Sequence, residues 1–99
     1  MNEYRTLDDA ADDVREWCWR ERFDNPQRHM LKLIEEFGEV AECINKDKLD
    51  TIAPEIADMF ILLVGLSASL HIDLAQAVSD KLAIVFARNN VVRQQLSCL

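Results

Sequence analysis

The chain has only two prolines, Pro26 and Pro54, and each stands where a helix can begin. Proline is tolerated in the first turn of a helix and breaks it further in. Only two glycines accompany them, so little else interrupts a helix. This scarcity favours long helices over a turn-rich β fold. The breaks fall at "FDNPQR", "NKDKLD" and "HID". Thr6, Asn25, Asp50 or Thr51, and Asp73 are the N-cap candidates beside them. The pattern predicts four helices: Leu7 to about Arg22, Pro26 to about Lys46, Thr51 to about Leu70, and Asp73 to about Asn90. The tail, residues 91–99, is ambiguous between a frayed end and a short extra helix. No repeat or low-complexity tract divides the chain, so residues 1–99 read as one domain with its core over about 6–90. The expected fold is all-α, a four-helix bundle-type chain. A chain this short has a limited core, which makes assembly into a helical homo-oligomer a natural way to bury more surface.

A net charge of −7 repels phosphate backbones, so nucleic acid is not an expected partner. A phosphate-bearing ligand would need bridging cations or a local basic patch. Cys18, Cys43 and Cys98 are odd in number and have no C-x-x-C spacing, which points to neither a disulfide framework nor a zinc site. Reduced thiols in the cytoplasm are the simple expectation. The acidic start "MNEYRTLDDAADD" is no signal peptide. The near-apolar run from Met59 to Leu70 is too short to span a bilayer, so a soluble protein without a membrane partner is expected.

The chemistry lies in two carboxylate pairs. On the second helix Glu36 and Glu39 stand one turn apart, with Lys32 and Cys43 close to the same stripe and Glu35 and Glu42 further round. Leu33, Ile34, Phe37, Val40, Ala41 and Ile44 fill the opposite arc. Alone, this reads as an ordinary amphipathic helix with an acidic outer face. The third helix changes the weighting. Glu55 and Asp58 repeat the i, i+3 spacing at the head of a segment, Met59 to Leu66, that is apolar in every direction and therefore reads as buried. Two antiparallel neighbours would bring four carboxylates together, and like charges so close need a cation between them. Oxygen-only ligands select hard ions, Mg²⁺ or Mn²⁺. No His stands at i, i+3 to these pairs, which argues against di-iron chemistry. Lys81 and Arg88 share a stripe of the fourth helix, spaced to touch different phosphates of one polyphosphate or to stand solvated near the helix end. Trp17, Trp19 and Phe23 are candidates to stack on a base, with at least one of them expected in the core. His29 and Lys32, on the Glu36 side, are further candidate ligand contacts.

The pattern Glu35-Glu36-x-x-Glu39 followed by Glu55-x-x-Asp58 resembles the E-E-x-x-E…E-x-x-D signature of MazG-like all-α nucleoside triphosphate pyrophosphohydrolases. The likeness runs from about Trp19 to Arg88, and "KLAIVFAR" resembles that family's K…R stretch. The resemblance implies Mg²⁺-dependent cleavage of an NTP or dNTP to the monophosphate and pyrophosphate, as house-cleaning of non-canonical or excess nucleotides. It also implies a homodimer or homotetramer with active sites near subunit contacts. Carried over, Glu36, Glu39, Glu55 and Asp58 are metal ligands, and Glu35 holds a second ion or orients water. Lys81 and Arg88 bind phosphates, and the aromatic segment faces the base. The chain departs from the pattern at Val85, where many members carry Asn, and at Leu62, where some carry Tyr. Those departures motivate an alternative, a catalytically silent nucleotide-binding or regulatory module. A plain helical interaction protein, with the carboxylates in salt bridges only, is a third.

Overall fold

A computed structural model describes residues 6–21 and 25–97, with backbone alone for residues 21 and 90–97. Helices α1 (Leu7–Glu21), α2 (Pro26–Asn45), α3 (Ile52–Ser69) and α4 (Leu74–Ser97) follow in order, with a short 3-10 turn, Leu49–Thr51, before α3. The starts follow capping chemistry. Thr6 Oγ1 accepts the Asp9 N–H at 3.1 Å, Asn25 Oδ1 that of Arg28 at 3.1 Å, and Asp73 Oδ1 that of Gln76 at 3.1 Å. Thr51 stands before α3 but caps nothing with its side chain; its hydroxyl donates to the Lys48 carbonyl at 2.8 Å. Helices α2 and α3 end alike. Lys48 N–H donates to Cys43 O and Ile72 N–H to Ser67 O, each at 2.9 Å, around Asp47 and His71 in the left-handed region. The tail is a continuation of α4 to Ser97; Cys98 lies outside the described residues.

Helix α3 is the centre, with α2 packed on one flank and α1 on another. The core is small: Ala11 and Cys18 from α1, Leu33 from α2, Val64, Gly65 and Ser67 from α3, with Val64 only 1% exposed. By length and composition the stretch Leu49–Ser69 would serve as a membrane span, being longer than the run Met59–Leu70 singled out in the sequence. In this fold it is the helix on which α1 and α2 pack.

Three expectations need correction. The four helices do not close into a bundle within one chain. Among the described residues α4 makes at most marginal contact with the others, and the radius of gyration is 17.1 Å against about 13 Å for a compact chain of this length. Nor is α3 buried all round: Ile56, Ile61 and Leu63 are exposed, and Ile56 and Ile61 line an open groove against α1. Finally, the two faces of α2 are not cleanly divided: Glu35, Glu39 and Glu42 are exposed, but Glu36 is not. Leu33 is buried and Val40 half-buried, but Ile34, Phe37 and Ile44 point out, Phe37 at 55% exposure, while Glu36 is half-buried toward α3.

Candidate active site

Because a short turn joins α2 to α3, the two run antiparallel and their carboxylates meet in register. One oxygen each from Glu36, Glu39 and Glu55 lies within 4.8 Å of the others. Glu36 Oε2 and Glu55 Oε2 are buried and accept no hydrogen bond from the protein. An unpaired buried carboxylate oxygen is costly. A donor set of three carboxylates with two such oxygens fits a hard divalent cation.

Glu39 binds its proton more tightly than an ordinary glutamate. Its hydrogen-bonding contact with Glu55 is the first cause, repulsion from the Glu55 charge the second, and Glu36 works in the opposite sense. The folded-state value is thus raised above 4.5, so this site favours folding least once Glu39 is ionised. Stability contributed here is intact below about pH 4.5 and is lost as pH rises through the raised value. Glu39→Gln cannot titrate, so in EDTA its melting temperature should gain on wild type as pH climbs from about 4 to about 8. A constant difference across that range would show that Glu39 carries no like-charge strain.

The other expected residues divide. Asp58 is exposed and stands beside the three-carboxylate group, not within it. It faces a cavity of about 410 Å³ together with Glu36, Trp17, His29, Lys32 and Leu62. Arg28, Cys18 and Ile61 complete that lining. Glu35 is not in the group either; it is exposed and pairs with Lys32 at 3.4 Å. His29 is half-buried, and its Nδ1–H donates to Asn25 O at 2.9 Å. Its ring lies against Gly65, where an added Cβ would stand 2.8 Å from Nε2. Burial pushes the neighbouring Cys18 thiol up, which keeps it neutral. Trp19 is 75% exposed and lines no described cavity; Trp17 takes the place expected of it. Phe23 lies outside the described residues. Lys81 and Arg88 are exposed on α4 and do not join the carboxylates within one chain. Arg28 was missed, although it falls on the stripe of Lys32 and Glu36 at successive spacings of four.

The fold and this geometry define an all-α protein with a carboxylate site between two antiparallel helices, beside an aromatic-walled cavity. The family model of the MazG nucleotide pyrophosphohydrolase domain matches residues 24–90, and the chain belongs to that family. It is 35% identical over 82 residues to mouse (Mus musculus) dCTP pyrophosphatase 1, covering 69% of this chain and 46% of that one. It is 44% identical over 48 residues to an uncharacterized 18.2 kDa protein of Haemophilus phage HP1, covering 48% of this chain and 29% of that one. The chain thus spans less than half the length of these relatives. No solved structure matches.

Proposed function

We propose that this chain is a nucleoside triphosphate pyrophosphohydrolase that releases pyrophosphate from an NTP or dNTP in the cytoplasm. One observation carries the reading: Glu36, half-buried, and Glu39, exposed, bring carboxylate oxygens within 4.8 Å of one from Glu55, while Ile34 and Phe37 stay outside. Hydrophobic burial alone favours the opposite orientation. A carboxylate group with two buried, orphaned oxygens is what a cation site needs. Glu36, Glu39 and Glu55, with Asp58 alongside, would hold Mg²⁺ or Mn²⁺. Such an ion, when bound, supplies positive charge that neutralises phosphoryl oxygens.

The remaining chemistry belongs to the chain. Trp17, His29 and Leu62 offer the nucleoside a wall next to Glu36. Water attacks the α-phosphorus and forms a new P–O bond. The bond from that phosphorus to the bridging oxygen breaks, and its electron pair departs with pyrophosphate. The proton of the water passes to a carboxylate, Glu35 or Glu39.

Assembly follows from the exposed surface. Ile34, Phe37 and Ile44 on α2 and Val78, Leu82 and Phe86 on α4 are apolar side chains left exposed in the single chain. We propose that a homodimer or homotetramer covers these faces. Lys81 and Arg88 then approach the carboxylates of another copy.

The test is pyrophosphate release from a panel of NTPs and dNTPs, with Mg²⁺ and with EDTA. The mouse relative's name puts dCTP first in the panel. Metal-dependent release from any member is the expected result. Silence across the panel from a folded oligomer would instead favour the nucleotide-binding module.

A further inference from the structure

The three-carboxylate group separates two unlike cavities. The first, described above, has Trp17, Ile61 and Leu62 in its wall. The second, about 330 Å³, is lined by Glu39, Glu42, Cys43, Lys46, Lys48, Thr51 and Glu55. It has no aromatic ring and no large apolar side chain, so it offers nothing on which a base could stack. It has two ammonium groups, one hydroxyl, and the far side of the same carboxylates. We infer that this second cavity, at the α2–α3 turn, seats the pyrophosphate half of the substrate, with Lys46 and Lys48 as its phosphate contacts.

This assignment rests on the proposed hydrolysis and adds to it a site for the leaving group. If the nucleoside occupies the aromatic cavity, its phosphates pass Glu36 first. The oxygens of Glu36, Glu39 and Glu55 are within 4.8 Å of one another, so terminal phosphates held at that group reach the cavity on the Glu39 and Glu55 side. The turn fixes the backbone that carries the two lysines. Lys48 N–H donates to Cys43 O at 2.9 Å, and Lys48 O accepts the Thr51 hydroxyl at 2.8 Å. Lys46 stands at the C-cap of α2 and pairs with Glu42. Lys46 and Lys48 both line this opening, and Glu42 is more acidic than an ordinary glutamate because of Lys46 first and, at longer range, Lys48. Arg28 and Lys32 line the other cavity, but the wall there is largely apolar. Lys81 and Arg88 of α4 do not line this cavity in their own chain.

The experiment is calorimetric titration of the full chain with inorganic pyrophosphate in the presence of Mg²⁺, and separately with dCMP. The double variant K46A/K48A should bind pyrophosphate at least about tenfold more weakly, the loss expected for charged hydrogen bonds. Its affinity for dCMP and for Mn²⁺ should remain that of wild type. Both lysines are exposed, and Lys48→Gln alone, which leaves the α2 cap untouched, should give an intermediate loss if the double variant folds poorly. Equal pyrophosphate binding by wild type and variants overturns the assignment. So does equal weakening of pyrophosphate and dCMP, or no pyrophosphate binding by wild type. A failure of hydrolysis shows elsewhere, as a silent nucleotide panel beside an intact difference in pyrophosphate affinity.

Discussion

Glu55→Gln should lower metal-dependent pyrophosphate release by about a hundredfold or more while raising the melting temperature of the metal-free protein. Few substitutions move activity and stability in opposite directions, and this one should because of where Glu55 sits. Its carboxylate is the main cause of Glu39 holding a proton so tightly, and its Oε2 is buried without a hydrogen-bond partner. In the absence of an ion both features disfavour the folded state. An amide removes the charge and keeps the shape. With Mg²⁺ or Mn²⁺ present the order should reverse. Wild type gains about 2.7 kcal/mol at an ion concentration about 100 times the dissociation constant. The variant, having lost one of three charged ligands, gains much less. Melting curves of both proteins with EDTA and with Mn²⁺, alongside turnover, test each half. Turnover retained in Glu55→Gln would remove the carboxylate group from the mechanism. A lower melting temperature in EDTA would mean that Glu55 is satisfied by the protein and strains nothing.

Much of this was legible from the sequence, because it depends on local chemistry. Thr6, Asn25 and Asp73 cap helices through contacts three residues ahead, and no distant part of the chain competes for them. The i, i+3 spacing of Glu36 and Glu39, and the short turn that leads to Glu55, suffice to bring three carboxylates together. What failed was the direction of faces. Ile34, Phe37 and Ile44 form an arc that should point at a core, and they are exposed instead. Periodicity reports that an apolar face must be covered but not by what. With α4 standing away from α1–α3, the chain does not cover that arc itself. Trp17 and Trp19 show the same limit on a smaller scale. They are about 200° apart on one helix, so at most one can face α3, and the stripe through Ala10 and Val14 selects Trp17. Asp58 lies one turn further along α3 than Glu55, which brings it beside Glu36 in the aromatic cavity and outside the three-oxygen group.

A large side chain at Gly65 should separate the three packed helices. The ideal Cβ there would lie 2.8 Å from His29 Nε2, 2.9 Å from His29 Cδ2 and 3.5 Å from Cys18 Sγ, so α1 and α2 both meet α3 at this one position. Gly65→Leu places its added atoms into an imidazole ring and a buried thiol, beside Val64, which is 1% exposed. Overpacking of this kind costs about 1–3 kcal/mol, occasionally more. The core holds few buried side chains, so a drop in melting temperature of roughly 10 °C or more is expected. Gly65→Ala is the finer probe. Alanine gains about 1 kcal/mol of helix propensity over glycine, which offsets much of what the contact loses. The net change in stability should therefore be small, but the His29 ring must swing away and give up its 2.9 Å bond to Asn25 O. Because His29 lines the cavity beside Glu36 and Asp58, the Michaelis constant for the nucleotide should rise severalfold in Gly65→Ala with the melting temperature nearly unchanged. In a His29→Ala background the same substitution has no ring to displace. There it should raise the melting temperature and leave the Michaelis constant alone, so the coupling between the two positions, measured as a double-mutant cycle, is the decisive number. Additive effects would mean that Gly65 acts on the fold alone and does not position His29.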